Sequence, residues 1–141
     1  MKSLRTLSLV TAIVTLLAAI QGRLVHATGA STSCPDWPLC NGAVIPQFTD
    51  PLIFLEWFHR LLVLLSAAFV VALVVITWRR RDAGRTLALV AAGLVLATSI
   101  VGGVSILVPL SLFWVAVDQL LLMAYFGALC GLTVWAYTAQ Q

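Results

Sequence analysis

The chain has 141 residues, of which 62% are hydrophobic and 9% are charged. Soluble globular domains carry about 25% charged residues, so this composition excludes an ordinary soluble domain, and the high apolar content excludes intrinsic disorder. Half of the eight basic residues cluster at Arg79, Arg80, Arg81 and Arg85. The net charge of +3 therefore indicates membrane topology and not a nucleic-acid partner.

Four apolar runs follow one another along the chain, each long enough to cross a hydrocarbon core of about 30 Å. They predict helices at about 7–25, 52–78, 87–108 and 111–137, with Pro109 and Ser111 in the turn between the last two. Continuous runs disfavour a transmembrane β-barrel, whose strands alternate in hydrophobicity. We therefore predict a single domain over residues 1–141, an all-α integral membrane protein with a four-transmembrane-helix bundle and an external disulfide-bearing loop.

The first run has a second interpretation. Lys2 and Arg5 precede an apolar stretch over residues 7–20, and a Val-His-Ala step ends at Ala27, as in a signal peptide with its cleavage site. Thr and Gln residues dilute the apolar stretch. We therefore favour a spanning helix over a cleaved peptide.

Residues 26–51 connect the first two runs and are rich in prolines and glycines, which predicts a structured loop. The basic residues near the N-terminus and after the second run fall on one side of the membrane. The positive-inside rule then places both termini in the cytoplasm and the loop outside, in a multi-pass protein of the cell membrane.

Two cysteines of this loop, Cys34 and Cys40, are separated by five residues that include two prolines. Disulfides persist in oxidising external compartments, so we predict a disulfide between them. A structural staple is the simplest role, and a membrane thiol–disulfide oxidoreductase is the alternative. Their spacing matches none of the usual zinc sites.

Ionisable residues interrupt the second and fourth runs. Glu56 and His59 are three residues apart and share a helix face, with Arg60 beside them. Such groups inside a span cost several kcal/mol unless they are paired or functional. A histidine in a bundle interior can ligate a heme iron, and a His–Glu pair held for structure is the alternative. Asp118 and Gln119 are predicted to lie at a depth comparable to His59.

Three stretches of the chain are found together in one family. They are residues 22–31, the Cys-Pro-Asp-Trp-Pro-Leu-Cys-Asn-Gly segment at residues 34–42, and the Glu-Trp-Phe-His-Arg segment at residues 56–60. These stretches closely resemble the heme A synthase family, whose third span Gly102 and Gly103 also resemble. The resemblance implies an oxidoreductase that converts heme O to heme A by oxidising the C8 methyl to a formyl group within the membrane. It also implies a heme b cofactor.

The resemblance further implies roles for individual residues. Glu56 and His59 match the family's catalytic Glu-x-x-His pattern, with His59 as axial ligand of the heme iron. Cys34 and Cys40 match its loop cysteines. Arg60 and Arg23 are expected to pair with heme propionates through charge-assisted hydrogen bonds.

The chain departs from the family's pattern at the start of the fourth helix. A second axial histidine is usual there, whereas this chain reads Val117-Asp118-Gln119. His26 is the candidate to replace this histidine as a cofactor-binding residue. Gln119 lies where a ligand would reach towards His59.

A family member is usually a tandem of two four-helix halves, one for substrate heme and one for heme b, whereas this chain matches one half. We therefore expect a homo-oligomer, either a two-fold dimer or a trimer, whose protomers together provide both sites. Heme O synthase is the expected supplier of substrate, and the electron donor is unidentified. Membrane lipid is expected to surround the helices, and we expect no nucleic-acid partner. The alternative function is a b-type heme electron-transfer membrane protein without substrate chemistry.

Overall fold

A computed structural model describes residues 2–107 and 112–139 as four helices and the loop between the first two. The helices are α1 (Lys2–Thr28), α2 (Pro51–Arg80), α3 (Gly84–Leu107) and α4 (Leu112–Thr138), and a short 3₁₀ helix, Ala30–Thr32, follows α1. Within the described ranges there is no strand element. The predicted all-α fold is confirmed. The turn predicted at Pro109 and Ser111 lies outside the described residues.

The bounds of α2 follow from local capping. The Asp50 side chain accepts a hydrogen bond from the Leu52 backbone N–H at 2.8 Å, and Pro51 occupies the first position, where no N–H is needed. At its other end Arg81 adopts φ 54°, and its N–H bonds the Trp78 carbonyl. The helix extends beyond its apolar run at both ends because backbone hydrogen bonding continues through the flanking residues.

Chain neighbours among the helices are also spatial neighbours. α1 and α3 each pack against both α2 and α4, which gives a four-helix square. The start of α1 meets the end of α4, where Arg5 Nε donates to the Ala136 carbonyl at 3.1 Å. We call the end of the bundle that carries residues 26–51 the loop end, and the opposite end, with Arg79 to Arg85, the arginine end. All four helices are long and apolar enough to span a membrane.

The hydrophobic core lies in the half of the bundle towards the arginine end. Its fully buried members include Leu4, Val70, Leu73, Leu129 and Leu132. On α3 the core positions are mostly alanine, which lets α3 approach its neighbours closely. The half towards the loop end is therefore free of this packed core and contains the polar residues singled out above.

A layer of three buried hydroxyl groups separates the core from the loop end. The Ser66 hydroxyl lies 2.7 Å from the Thr15 hydroxyl and 2.7 Å from the Tyr125 hydroxyl. These bonds join α1, α2 and α4. Because a hydroxyl in lipid has no water to bond, mutual hydrogen bonding satisfies all three groups.

Candidate functional site

The candidate site lies two helical turns nearer the loop end than the hydroxyl layer. It contains one residue from each of α1, α2 and α4. Each lies seven residues from the member of the hydroxyl layer on its own helix: Gly22, His59 and Asp118. Seven residues correspond to about 10 Å along a helix. The bundle therefore brings His59 and Asp118 to one level.

The imidazole of His59 packs directly against α1. A Cβ atom added to Gly22 would lie 2.8 Å from Cε1 of His59, so the ring approaches this closely only because position 22 is glycine. The Nδ1 atom of His59 is buried and has no hydrogen-bond partner among the described residues. A buried polar atom without a partner costs about 1–3 kcal/mol. This nitrogen is thus uncommitted and suited to a ligand.

Arg60 connects Glu56 to the loop. Its Nε donates to Oε1 of Glu56 at 2.7 Å, and the Glu56 residue is 3% exposed. Its Nη1 donates to the backbone carbonyls of Asp36, at 2.7 Å, and Leu39, and its Nη2 donates to the Cys34 carbonyl at 3.0 Å. Four of the five guanidinium N–H groups are therefore engaged. Only one N–H group of Arg60 is left for the predicted pairing with a heme propionate.

The loop that Arg60 holds is closed by a disulfide. Cys34 and Cys40 are bonded, with Cα atoms 4.6 Å apart, which confirms the predicted disulfide. The two cysteines are 0% and 2% exposed. Because thiol–disulfide exchange requires access of an attacking thiolate to sulfur, this burial disfavours the thiol–disulfide oxidoreductase alternative.

A tight turn follows the disulfide. Asn41 and Gly42 both have positive φ, 53° and 74°, and the backbones of Cys40 and Ala43 pair across them. The carboxylate of Asp36 accepts the N–H of Asn41 at 2.6 Å and that of Gly42 at 2.8 Å. The Gly42 N–H is the main cause that lowers the pKa of Asp36 below its usual value. An ionised Asp36 thus stabilises the turn.

The loop also rests on α3. A Cβ atom added to Gly103 would lie 2.9 Å from Cδ2 of Trp37, so the indole packs onto the helix backbone at this glycine. Gly103 is one of the two positions that resemble the family's third span.

His26 lies in the last turn of α1 and is exposed. Glu56 and His59 lie in the first three turns of α2, and Asp118 lies in the second turn of α4. The structure therefore brings these four predicted residues to the same end of the bundle. No three His, Cys, Asp or Glu side chains within residues 2–107 and 112–139 are grouped as a metal site.

A groove opens on the side of the bundle between α1 and α4. Its volume is about 320 Å³, and it is open to the outside of the bundle, where Ile20 and Met123 are exposed. Arg23 and Gln119 lie at its loop end, so the structure brings together two of the predicted cofactor-binding residues. The remaining lining is apolar: Leu16, Ala19, Ile20, Leu122, Met123 and Phe126.

Curated heme A synthases are similar to this chain. The heme A synthase of Bacillus pumilus is 39% identical over 79 residues, which cover 55% of this chain and 25% of that protein. The heme A synthase of Bacillus licheniformis is 40% identical over 80 residues, which cover 56% of this chain and 26% of that protein. The heme A synthase of Staphylococcus saprophyticus is 27% identical over 144 aligned residues, which cover 99% of this chain and 48% of that protein. The chain is a homologue of the heme A synthases.

The resemblance to heme A synthases that the loop motif predicted is thereby confirmed. This chain spans about half the length of the Staphylococcus saprophyticus heme A synthase, and the Bacillus matches cover about a quarter of those proteins. No family model and no solved structure matches the chain. With four helices able to span a membrane, this homologue of heme A synthases is a multi-pass membrane protein.

Sequence reasoning gave Asp36 no role and missed the contact between Gly22 and His59. A local signal exists for Asp36, since the Asn-Gly pair that follows it is a strong turn dipeptide. The Gly22 contact depends on the register between α1 and α2. Hydrophobic periodicity within one helix does not report that register.

Proposed function

We propose that this chain binds heme at the loop end of the bundle, with His59 as iron ligand, and takes part in converting heme O to heme A. In that reaction the C8 methyl of heme O is oxidised to a formyl group. The observation that carries the proposal is the buried, uncommitted Nδ1 of His59 in a homologue of the heme A synthases. When a polar side chain within a membrane span bonds no other residue, it is expected to bind a functional partner.

An imidazole, a cation and an amide are residue types that can hold such a group, and His59 lies beside Gly22 and not in the lining of the groove that contains Arg23 and Gln119. When bound, a heme b cofactor would supply electron transfer to the site where the substrate heme is oxidised. Gly22 leaves room for the His59 ring against α1, and His59 would be the residue that ligates the iron. Arg23, at the loop end of the apolar groove, presents a cation suited to a propionate, and Gln119 adds a hydrogen-bonding amide.

Glu56 is proposed to act as a proton acceptor in this reaction. Its Oε1 is fixed by Arg60, and its second oxygen, Oε2, is not used in that contact. One turn of α2 separates Glu56 from His59. A carboxylate held this rigidly keeps Oε2 in a constant direction as a proton acceptor.

The proposed orientation places the loop end outside and both termini in the cytoplasm of a cell-membrane protein. Lys2 and Arg5 share the arginine end with Arg79 to Arg85, which is the distribution that the positive-inside rule favours. Labelling of Asn41→Cys in intact cells is expected to succeed with a membrane-impermeant reagent. Reaction only after the membrane is opened would reverse the orientation.

We also propose a homo-oligomer, most simply a two-fold dimer with a trimer as the alternative. The reaction uses two heme sites, whereas the described helices offer one buried imidazole nitrogen without a partner, Nδ1 of His59. A second copy is proposed to supply the other site. Native mass spectrometry should give two or three protomers with bound heme, and a monomer of undiminished specific activity would contradict this assembly. Heme O synthase is the proposed supplier of substrate, and the electron donor is of unidentified class.

The decisive experiment is extraction and mass analysis of hemes after expression with a heme O supply. The expected product is heme A, in which one oxygen has replaced two methyl hydrogens of heme O. His59→Ala should abolish heme A and most bound heme, whereas His26→Ala tests whether the exposed histidine acts as a second ligand. Bound heme b without any heme A would instead support the electron-transfer alternative. Unchanged heme content in folded His59→Ala protein would reject the ligand assignment.

A further inference from the structure

We infer that the loop segment over residues 43–48 lies in the lipid interface at the loop end and contacts lipid directly. Val44, Ile45 and Phe48 are 76%, 69% and 47% exposed. Exposed apolar side chains in such a group indicate a surface that is covered. The position of the segment along α2 and its composition identify lipid as the occupant.

Hydrogen bonding fixes the depth of this segment. The Trp57 Nε1–H donates to the Val44 carbonyl at 2.8 Å. Trp57 is six residues after Pro51, the first residue of α2, which is about 9 Å along the helix. The segment therefore runs beside the first turns of α2 and not above its start.

The length of α2 places these turns at the membrane boundary. Its 30 residues extend about 45 Å, whereas the hydrocarbon core is about 30 Å thick. Arg79 and Arg80 fix its other end at the polar boundary. The hydrocarbon core then ends about 20 residues before them, close to His59, and Trp57 with the adjoining segment lies in the headgroup region.

The side chains around the segment are those typical of that region. The ring of Phe48 lies 5.4 Å from that of Phe54 and 5.3 Å from that of Trp57, in edge-on contacts. Tryptophan is enriched at membrane–water interfaces, and the two phenylalanines pack beside Trp57. They make the loop surface continuous with the surface of a spanning helix.

Composition favours lipid over a protein partner. Residues 37–49 contain no charged side chain, so the segment offers no charge pattern by which a specific protein would be selected. Its hydrophobic side chains instead suit shallow burial between headgroups. A second copy of the chain or another protein on this surface is an outcome that the following test separates.

Spin labelling in phosphatidylcholine vesicles tests the inference. Single cysteines would be placed at Ile45, at Leu64 as a lipid-facing reference on α2 (67% exposed), and at Thr32 as a reference in the exposed loop, each with Cys130→Ala. The label at position 45 should collide several-fold more with oxygen than with a water-soluble nickel chelate, relative to the label at position 32. Oxygen partitions into the lipid and the chelate into water.

Val44→Cys provides a second measurement if Ile45→Cys disturbs the loop. A label at 44 or 45 that matches the label at position 32 would overturn the inference. Protection from both oxygen and the chelate would show a protein covering the segment and would also overturn it. Because the test needs neither heme nor activity, its failure is distinct from failure of the proposed function.

Discussion

The Nε atom of Arg60 donates to Oε1 of Glu56 at 2.7 Å while the rest of the same guanidinium holds the disulfide loop. Both side chains are largely buried, 14% and 4% exposed. Exposed ion pairs contribute about 0–1 kcal/mol, but removing one partner of a buried pair leaves an uncompensated charge and costs about 3–5 kcal/mol. Arg60 therefore links the stability of the loop to the position of Glu56.

Arg60→Gln should lower the free energy of unfolding by about 3 kcal/mol, since it leaves Glu56 unpaired and frees the loop carbonyls. It should also speed reduction of the Cys34–Cys40 disulfide, which burial otherwise shields. Arg60→Lys, which keeps the charge but loses the planar set of donors, should be intermediate. Thermal unfolding in detergent and the rate of thiol release measure both effects. Arg80→Gln, exposed at the arginine end, is the control, and equal reduction rates in all variants would contradict the linkage.

The Gly22 contact predicts a second effect. In Gly22→Ala the new Cβ would meet the His59 ring at 2.8 Å, so the ring must move, at about 1–3 kcal/mol for overpacking. Heme bound at His59 should fall in the same variant. Gly127→Ala is the matched control because its Cβ meets nothing within 4 Å, and helix propensity then makes it neutral or slightly stabilising. Equal heme content in the two variants would show that the position of the His59 ring is not set by Gly22.

The hydroxyl layer predicts coupling between helices. Ser66→Ala and Tyr125→Phe each remove the 2.7 Å bond between their hydroxyls, and hydrogen bonds between membrane helices contribute about 0.6 kcal/mol on average. The double variant should therefore cost less than the sum of the single variants. Thr138→Ala serves as control, since that hydroxyl bonds only its own helix. Strict additivity in unfolding measurements would exclude the coupling.

The fold was predictable because membrane spans leave a strong local signal. Twenty apolar residues and flanking arginines identify a spanning helix without knowledge of its neighbours. The loop disulfide was predictable from compartment and spacing. Helix ends were less predictable, since α2 continues from Asp50 to Arg81 through capping residues that lie outside the apolar run.

The site was predictable in its residue types but not in its contacts. Glu56, His59 and Asp118 are conspicuous because they are ionisable residues at the edges of otherwise apolar runs. Besides Glu56, the partners of Arg60 are the backbone carbonyls of Cys34, Asp36 and Leu39, which the identity of the side chains does not predict. Their position depends on the folded path of the loop, so the sequence alone favoured a propionate as the partner of Arg60.

The last prediction concerns the pH dependence of the loop. N–H groups of Gly42 and Asn41 bond the Asp36 carboxylate and lower its pKa. A carboxyl group whose pKa is lower in the folded state contributes stability that is fully present above its unfolded pKa of about 3.9 and is lost as the pH falls through the lower folded value. Reduction of the Cys34–Cys40 disulfide by a phosphine, which acts in acid, should therefore accelerate below about pH 4. Asp36→Asn removes this titration, so its rate should already be raised at neutral pH, and the ratio of variant to wild-type rates should fall towards one in acid. A ratio that stays constant across this range would mean that the ionised Asp36 does not hold the turn.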